Sequence, residues 1–448
     1  MDTEQVVDSS PIGKFQILIW LLGTSVIFID GFNIQVMGYL LPQLIKLWHI
    51  PPDLRGPIVS SGLAGVFVGY LVLSPFANRI GHRRMMIWCT LLIGIFTLAT
   101  TLSTDAYSMM GLRFLTGIAL GASNPSAVLI ISDFAPKRVR STFVTAGILG
   151  VSLGSMVAGL VAVAVLDRFG WKGVLFVGGL GPVLLTFILA ILVPNTFDYV
   201  LNRKHDQAAA LKLARRANPN GNYPEGTQFY TGAKSRSASV LELFRSTRLI
   251  GTLGIWISFS ANLLVFFFIQ SWLAQIIVQL GHPQKIAVTA TSVLVFGGVC
   301  SFLAIGPLMD RFTPYKVLSG YFLAGGAVVA LLGYLLAGSL PIIFAAAFLV
   351  GFVVLGLQKG MNAVCVYYYP TALRATGLGW GLGIGRLGAV IGPTLAGILI
   401  QAKLPVASLF YWAAVPMLVA CVAQIIMAMI YGRYGAGAEG IDKANARA

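Results

Sequence analysis

Apolar runs of membrane-spanning length recur along the chain, broken by short polar and mostly basic segments. A helix rises about 1.5 Å per residue, so about 20 apolar residues cross a hydrocarbon core of about 30 Å. Twelve stretches meet this requirement: 15–45, 57–77, 85–103, 107–132, 141–165, 174–194, 249–280, 285–308, 316–338, 341–368, 371–401 and 407–431. The pattern predicts an all-α membrane protein with twelve transmembrane helices. The first run is longer than the apolar core of a signal peptide and lacks a clear small-residue cleavage site, so a retained helix is expected. Residues 195–248 form one long polar stretch. The expected organisation is a six-helix half over 1–194, a central loop over 195–248, a second six-helix half over 249–431 and a tail over 432–448.

Within the central loop, Asp198–Asn218 reads as one amphipathic helix. Val200, Leu201, Ala208, Leu211 and Ala214 alternate with Arg203, Lys204, Lys212 and Arg215, a pattern suited to the membrane surface. Pro219–Ser237, rich in glycine, proline and polar residues, reads as a flexible connector. Ser239 and Glu242 have capping-box spacing and predict a short helix before the seventh span.

Composition agrees with a membrane protein: 57% of the 448 residues are hydrophobic and 10% charged, against about 25% charged in soluble domains. The net charge of +16 invites a nucleic-acid reading, but its distribution points elsewhere. With the N-terminus inside, 22 Lys and Arg residues fall on inner segments, six on outer segments and three within spans. Both termini are therefore expected in the cytoplasm. Cys89, Cys300, Cys365 and Cys421 all lie in apolar runs, which argues against a disulfide framework. His49, His82, His205 and His282 lie outside the spans and offer no intramembrane relay. No Walker loop, metal-ligand cluster or nucleophilic triad is evident, so neither cofactor, metal nor enzymatic chemistry is expected.

The charges inside spans are the candidate chemistry. Asp30 lies some fifteen residues into the first run, roughly 22 Å by helical rise. A carboxylate at that depth costs at least about 2.5–3.5 kcal/mol and so faces a cavity or a partner. Arg386 lies at similar depth in the eleventh span. Its planar fork suits a substrate carboxylate or Asp30 itself. Asn33, one turn beyond Asp30, shares its face and can donate but cannot carry a proton. Arg113 is a candidate for anion attraction, or for snorkelling to the outer interface. Gln358, Lys359 and Asn362 interrupt the apolar tenth span, and Gln358 and Asn362 join the candidate substrate contacts. In the seventh span, Phe268 and Gln270 are candidates to hold a flat, polar-edged substrate. Tyr367, Tyr368 and Tyr369 read as an interfacial belt. Glycines crowd the fourth, fifth and eleventh spans, where they permit close helix packing.

An internal repeat orders these features. Asn78–Arg84 follows the second span and Asp310–Lys316 the eighth, offset by 232 residues. Ala135–Thr142 and Tyr369–Thr376 repeat at an offset of 234, matching Pro136 with Pro370, Arg140 with Arg374 and Thr142 with Thr376. Two parallel six-helix halves suit an alternating-access transporter. Arg79, Arg83, Asp133, Arg140, Asp310, Arg311 and Arg374 are expected to form charge networks of a cytoplasmic gate.

These loops resemble the signature of the major facilitator superfamily. Asp30-Gly31-Phe32-Asn33, Arg113-Phe114-Leu115-Thr116-Gly117, Tyr369–Gly377 and Gly383–Gly388 resemble its aromatic acid:proton symporter group. The resemblance implies proton-driven uptake of a small organic acid, such as a benzoate-like anion, across a bacterial inner membrane. Asp30 would carry the proton. The implied partners are the organic anion, the proton and the lipid bilayer, with no nucleic acid, and the protein is expected to be a monomer. Asn33 stands where the group commonly has a second Asp, and Asn78 where its loop commonly has Asp. An exporter or antiporter is the alternative, weakened because Gly150–Gly159 lacks the proline of the antiporter motif. A non-transporting sensor is a more distant one.

Overall fold

The computed structural model describes residues 1–202, 204–224, 227–230, 240–244, 248–369, 373–402 and 404–431. The helices are α1 (Thr3–Asp8), α2 (Lys14–Trp48), α3 (Pro52–Ile80), α4 (His82–Thr100), α5 (Ala106–Phe134), α6 (Lys137–Leu192), α7 (Phe197–Asn202), α8 (Gln207–Ala217), α9 (Leu249–Gln279), α10 (Gln284–Arg311), α11 (Pro314–Leu335), α12 (Leu340–Tyr368), α13 (Arg374–Gln401) and α14 (Val406–Tyr431). Eleven of them, or parts of them, are long and apolar enough to cross a membrane. Helices satisfy their backbone polar groups internally, as lipid requires.

The apparent shortfall from twelve spans lies in α6. Its 56 residues would measure roughly 84 Å as one rod. Gly170 breaks it at φ 65° and ψ −168°, a conformation that a residue with a Cβ scarcely adopts. Residues 137–169 and 171–192 are thus two crossings, which makes twelve among the described residues. Large apolar side chains such as Trp88, Phe187 and Ile191 are exposed on the helix surfaces, as lipid-facing positions should be.

The chain forms two compact units. The first comprises Met1–Ile34, Ala64–Ala158 and Arg168–Lys234, the second Gln35–Leu63, Gly159–Asp167 and Ser235–Ala448. In the first unit, a Cβ on Gly31 of α2 would meet the Val151 carbonyl of α6, and one on Gly154 would meet the Phe28 carbonyl. Ser155 seals this crossing by donating to the Gly31 carbonyl at 3.0 Å. In the second unit, Gly388 of α13 meets the Ser260 carbonyl of α9 in the same way. Gly65 of α3 lies on the Phe114 carbonyl of α5, and Gly297 of α10 on the Phe348 carbonyl of α12. Gly154 and Gly388 are 234 residues apart, and Gly65 and Gly297 are 232 apart. The offsets of the basic loops are therefore also the offsets of the close helix crossings.

The central loop is built differently from the expectation. The single helix over 198–218 is two helices, α7 and α8, parted where His205 takes φ 52° and Asp206 caps α8 by accepting from the Ala209 N–H. Its apolar residues do not face a membrane surface. Val200, Leu201, Ala210, Leu213 and Ala214 pack with Val6, Val7 and Phe134, and with Tyr223 and Phe229 from the stretch expected to be a loose connector. Asn218 donates to Ser9 Oγ at 3.1 Å, Gln16 to the Ala217 carbonyl at 2.7 Å and Arg138 to the Ser10 carbonyl at 3.0 Å. The loop and the N-terminal segment thus form a packed cap on one end of the first unit. The short helix expected before the seventh span is a 3-10 turn, Val240–Phe244, and Ser239 lies outside the described residues.

The tyrosines expected in an interfacial belt are also corrected. Tyr368 and Tyr369 are 0% and 1% exposed. Tyr368 donates to the Arg248 carbonyl at 3.0 Å, Tyr369 to Thr252 at 3.1 Å, and the Tyr431 ring stands edge-on to Tyr368.

The glycine crossings and the helix caps make two testable predictions. Gly31→Ala and Gly154→Ala each force α2 and α6 apart, and each is expected to cost about 1–3 kcal/mol or more, because the obstacle is backbone. A native-like melting temperature of the purified variants in detergent would contradict this. At the start of α5, Asp105 accepts from the Ser108 and Tyr107 N–H groups. Those bonds, chiefly from Ser108, hold its carboxyl below the usual range. The ionised cap therefore stabilises above the ordinary carboxyl pKa and is lost as pH falls through the depressed value. Asp105→Ala is expected to melt earlier at neutral pH, with the difference closing on acidification; a pH-independent difference contradicts the capping role.

Candidate functional site

The first unit buries a polar patch where α2, α4 and α5 meet. Asp30 and Asn33, on one face of α2, are 3% and 1% exposed, and Arg113 of α5 is 4% exposed. Asn124 donates to Asp30 Oδ2 at 2.5 Å. Arg113 donates through one terminal nitrogen to the Asn33 backbone carbonyl at 2.5 Å and through the other to Asn33 Oδ1 at 3.4 Å. Thr97 of α4 donates to the same Oδ1 at 3.1 Å. Asn33 returns its own N–H to the Ile29 carbonyl at 3.2 Å. The amide orientation follows from the chemistry, because a guanidinium only donates and requires the oxygen to face it. Arg113 does not snorkel: its head is folded inward onto α2.

The spacing of these residues explains the match. Arg113 and Asn124 are eleven residues apart, about three helical turns, and so share a face of α5. Asp30 and Asn33 share a face of α2, held against α6 by the Gly31 and Gly154 crossing. Asn124 and Thr97 escaped the sequence reading. The eleven-residue register from Arg113 was the available signal for Asn124; Thr97 carried none.

The second unit has its own amides. Asn262 of α9 donates to Gln358 of α12 at 3.1 Å, and Gln424 of α14 donates to Ser258 at 2.8 Å. The Asn262, Gln424 and Asn362 carbonyl oxygens are shielded from solvent and accept no hydrogen bond among the described residues. Asn262, like Asn124, was not singled out in the sequence. Lys359 and Arg386 are half-buried.

Two expected substrate contacts lie in helix packing. Gln270 donates to the Gln35 side-chain oxygen, while Gln35 donates to the Gln270 backbone carbonyl at 3.4 Å. The Phe268 ring is 1% exposed and stands edge-on to Phe410, centroids 6.1 Å apart. Beside them Trp272 donates to the Pro393 carbonyl at 3.0 Å, and Ser60 shares a hydrogen bond with Thr394 at 2.8 Å.

The basic residues expected at a gate divide. Arg140 lies 3.6 Å from Asp8, and Arg83 donates to the Val193 and Ala190 carbonyls at 2.5 and 2.6 Å. Both therefore hold the cap and helix ends of their own unit. Arg79 lies over the Phe76 ring at 5.8 Å. Asp133 is half-buried and Arg311 exposed, and the side chains of Asp310 and Arg374 lie outside the described residues.

Comparison with known proteins agrees with this architecture. Residues 23–324 and 285–444 match the Major Facilitator Superfamily model. The chain is 32% identical over 427 residues to a gallate transporter of Pseudomonas putida, covering 94% of each. It is 32% identical over 411 residues to a 4-hydroxybenzoate transporter of Pseudomonas aeruginosa, covering 89% of this chain and 90% of the relative. It is 28% identical over 413 residues to a benzoate transport protein of Acinetobacter baylyi, covering 90% and 88%. Among solved structures, a D-xylose-proton symporter aligns with a TM-score of 0.71 at 14% identity, covering 92% of this chain and 97% of the other. A bacterial Spinster homologue in an inward-facing, unoccupied conformation aligns with a TM-score of 0.67 at 15% identity, covering 94% and 97%. Matched along nearly its whole length, this multi-pass membrane protein belongs to the Major Facilitator Superfamily.

Proposed function

We propose that the protein takes up a small aromatic carboxylate together with a proton by alternating access, across a bacterial inner membrane with both termini in the cytoplasm. Three curated relatives named for aromatic acids, at 28–32% identity over most of both chains, support the substrate class. The observation that carries the coupling is Asp30. It is a carboxyl group 3% exposed on a membrane helix, with Asn124 fixing Oδ2 at 2.5 Å. Such a group is costly to keep without a function. Asn124 presents an N–H to the ionised form and so steadies Asp30 between protonation events.

In this reading Asp30 binds and releases the transported proton. Arg386 on α13 offers a fork of donors for the substrate carboxylate, and Gln358 and Asn362 present amides to its polar edge. The halves 1–194 and 249–431 are the bodies that move, and the basic loops with Asp310 and Arg374 form the cytoplasmic gate. Arg140 and Arg83, engaged within the first unit, serve that gate by keeping their half rigid. The unit works as a monomer.

The test is uptake of radiolabelled benzoate or 4-hydroxybenzoate into proteoliposomes under an imposed pH gradient. Asp30→Asn is expected to cut gradient-driven accumulation by about tenfold or more while keeping counterflow exchange of labelled for unlabelled substrate. Unchanged gradient-driven uptake in the variant contradicts the coupling role.

A further inference from the structure

Three amide oxygens of the second unit lack a donor. Asn262 of α9 and Gln424 of α14 are 1% and 0% exposed. Asn262 gives its N–H to Gln358 at 3.1 Å. The Gln424 nitrogen faces two acceptors, Ser258 Oγ at 2.8 Å and the Met361 sulfur at 3.9 Å. The nitrogens of both amides are thus accounted for, and their oxygens are not. Those oxygens, together with Oδ1 of Asn362 on α12, are shielded from solvent and accept no hydrogen bond among the described residues. Buried acceptors are seldom left in this state.

The register of two helices brings the three together. Asn262 of α9 stands opposite Gln358 of α12. Ten residues earlier in α9, Thr252 accepts from Tyr369, eleven residues after Gln358, at 3.1 Å. The two helices are therefore antiparallel. One turn from the Asn262 and Gln358 rung, Asn362 is level with Ser258, to which Gln424 donates. The oxygens lie within about two turns of one seam. Arg386 of α13 belongs to the same layer. A Cβ on Gly385 would meet Leu263 and Phe259 of α9, and one on Gly388 the Ser260 carbonyl. Arg386 lies between those two glycines, and so at the level of Asn262.

We propose that this seam recognises a hydroxyl group on the ring of the transported acid, with Asn262 and Asn362 supplying the accepting oxygens. An amide oxygen only accepts. It therefore disfavours a carboxylate and suits an O–H. A phenolic hydroxyl keeps its proton at neutral pH, as that of tyrosine does. The substrate is thereby given a direction, with its carboxylate at Arg386 and its hydroxyl at the seam. Benzoate leaves the seam oxygens without a donor, so the protein selects hydroxylated benzoates over benzoate. This rests on, and narrows, the reading of the chain as an aromatic-acid transporter.

The test measures proteoliposome uptake of benzoate, 3-hydroxybenzoate and 4-hydroxybenzoate, and compares their kcat/KM ratios. A site built to bond a hydroxyl discriminates against the analogue that lacks it. The native protein is expected to prefer at least one hydroxylated acid over benzoate by about tenfold or more. Asn362→Leu removes one accepting oxygen and leaves the Asn262 and Gln358 pair intact. It is expected to cut that preference by about fivefold or more, and Asn262→Leu is expected to do the same. A packing role, or a seam that holds only water, lowers uptake of all three acids alike and leaves the ratio native. The proposal is overturned if both variants keep the native ratio, or if the native protein takes up all three acids equally well. Equal uptake overturns this proposal alone, whereas a native protein that takes up no aromatic carboxylate overturns the functional reading with it.

Discussion

A permanently charged guanidinium, buried with neutral acceptors among the described residues, is the constraint around which the first unit is arranged. Removing an ion from water costs several kcal/mol even after relaxation. Arg113 offsets part of that cost through the Asn33 carbonyl and amide oxygen. Those acceptors are in reach only because α2 presents Asn33 toward α5. That presentation depends on the α2 and α6 crossing, where Gly31 and Gly154 admit backbone against backbone. The same face of α2 carries Asp30 to Asn124. Cation and acid are thus each hydrogen-bonded to a neutral amide residue.

The fold supplies this arrangement by repetition. The glycine crossings recur at offsets of 232 and 234 residues, so each unit rests on the same pairs of close helix contacts. The polar content of the two units is not repeated. The first holds an acid and a buried arginine, and the second holds the Asn262–Gln358 and Ser258–Gln424 pairs. Packing is common to the halves, whereas the chemistry is particular to each. The cap adds a further asymmetry: α1, α7 and α8 tie the end of the first unit together through Asp8, Arg140 and Asn218.

Features that depend on periodicity and composition could be read directly from the residues. The spans, the repeat and the isolated intramembrane charges belong to this class, since lipid leaves so few ways to satisfy a backbone. Asp30, Asn33 and Arg113 stood out because they break an apolar pattern. Their partners did not. Asn124 and Thr97 are ordinary helix residues until a neighbouring helix is laid against them, and Phe268 and Gln270 look like ligand contacts until Phe410 and Gln35 cover them. The tyrosines and the central loop misled for one reason. An amphipathic pattern states that a face is buried without saying whether lipid or protein buries it. In Tyr368, Tyr369 and α8 the answer is protein.

The proposed proton role of Asp30 is tested most directly by proton movement itself. In lightly buffered proteoliposome suspensions, at a pH where the acid is ionised, benzoate is added and external pH is followed against protein-free vesicles. The native protein is expected to make the outside more alkaline as proton and anion enter together. Asp30→Asn is expected to give no shift while still exchanging labelled substrate. An equal alkaline shift from the variant would contradict the claim that Asp30 carries the proton.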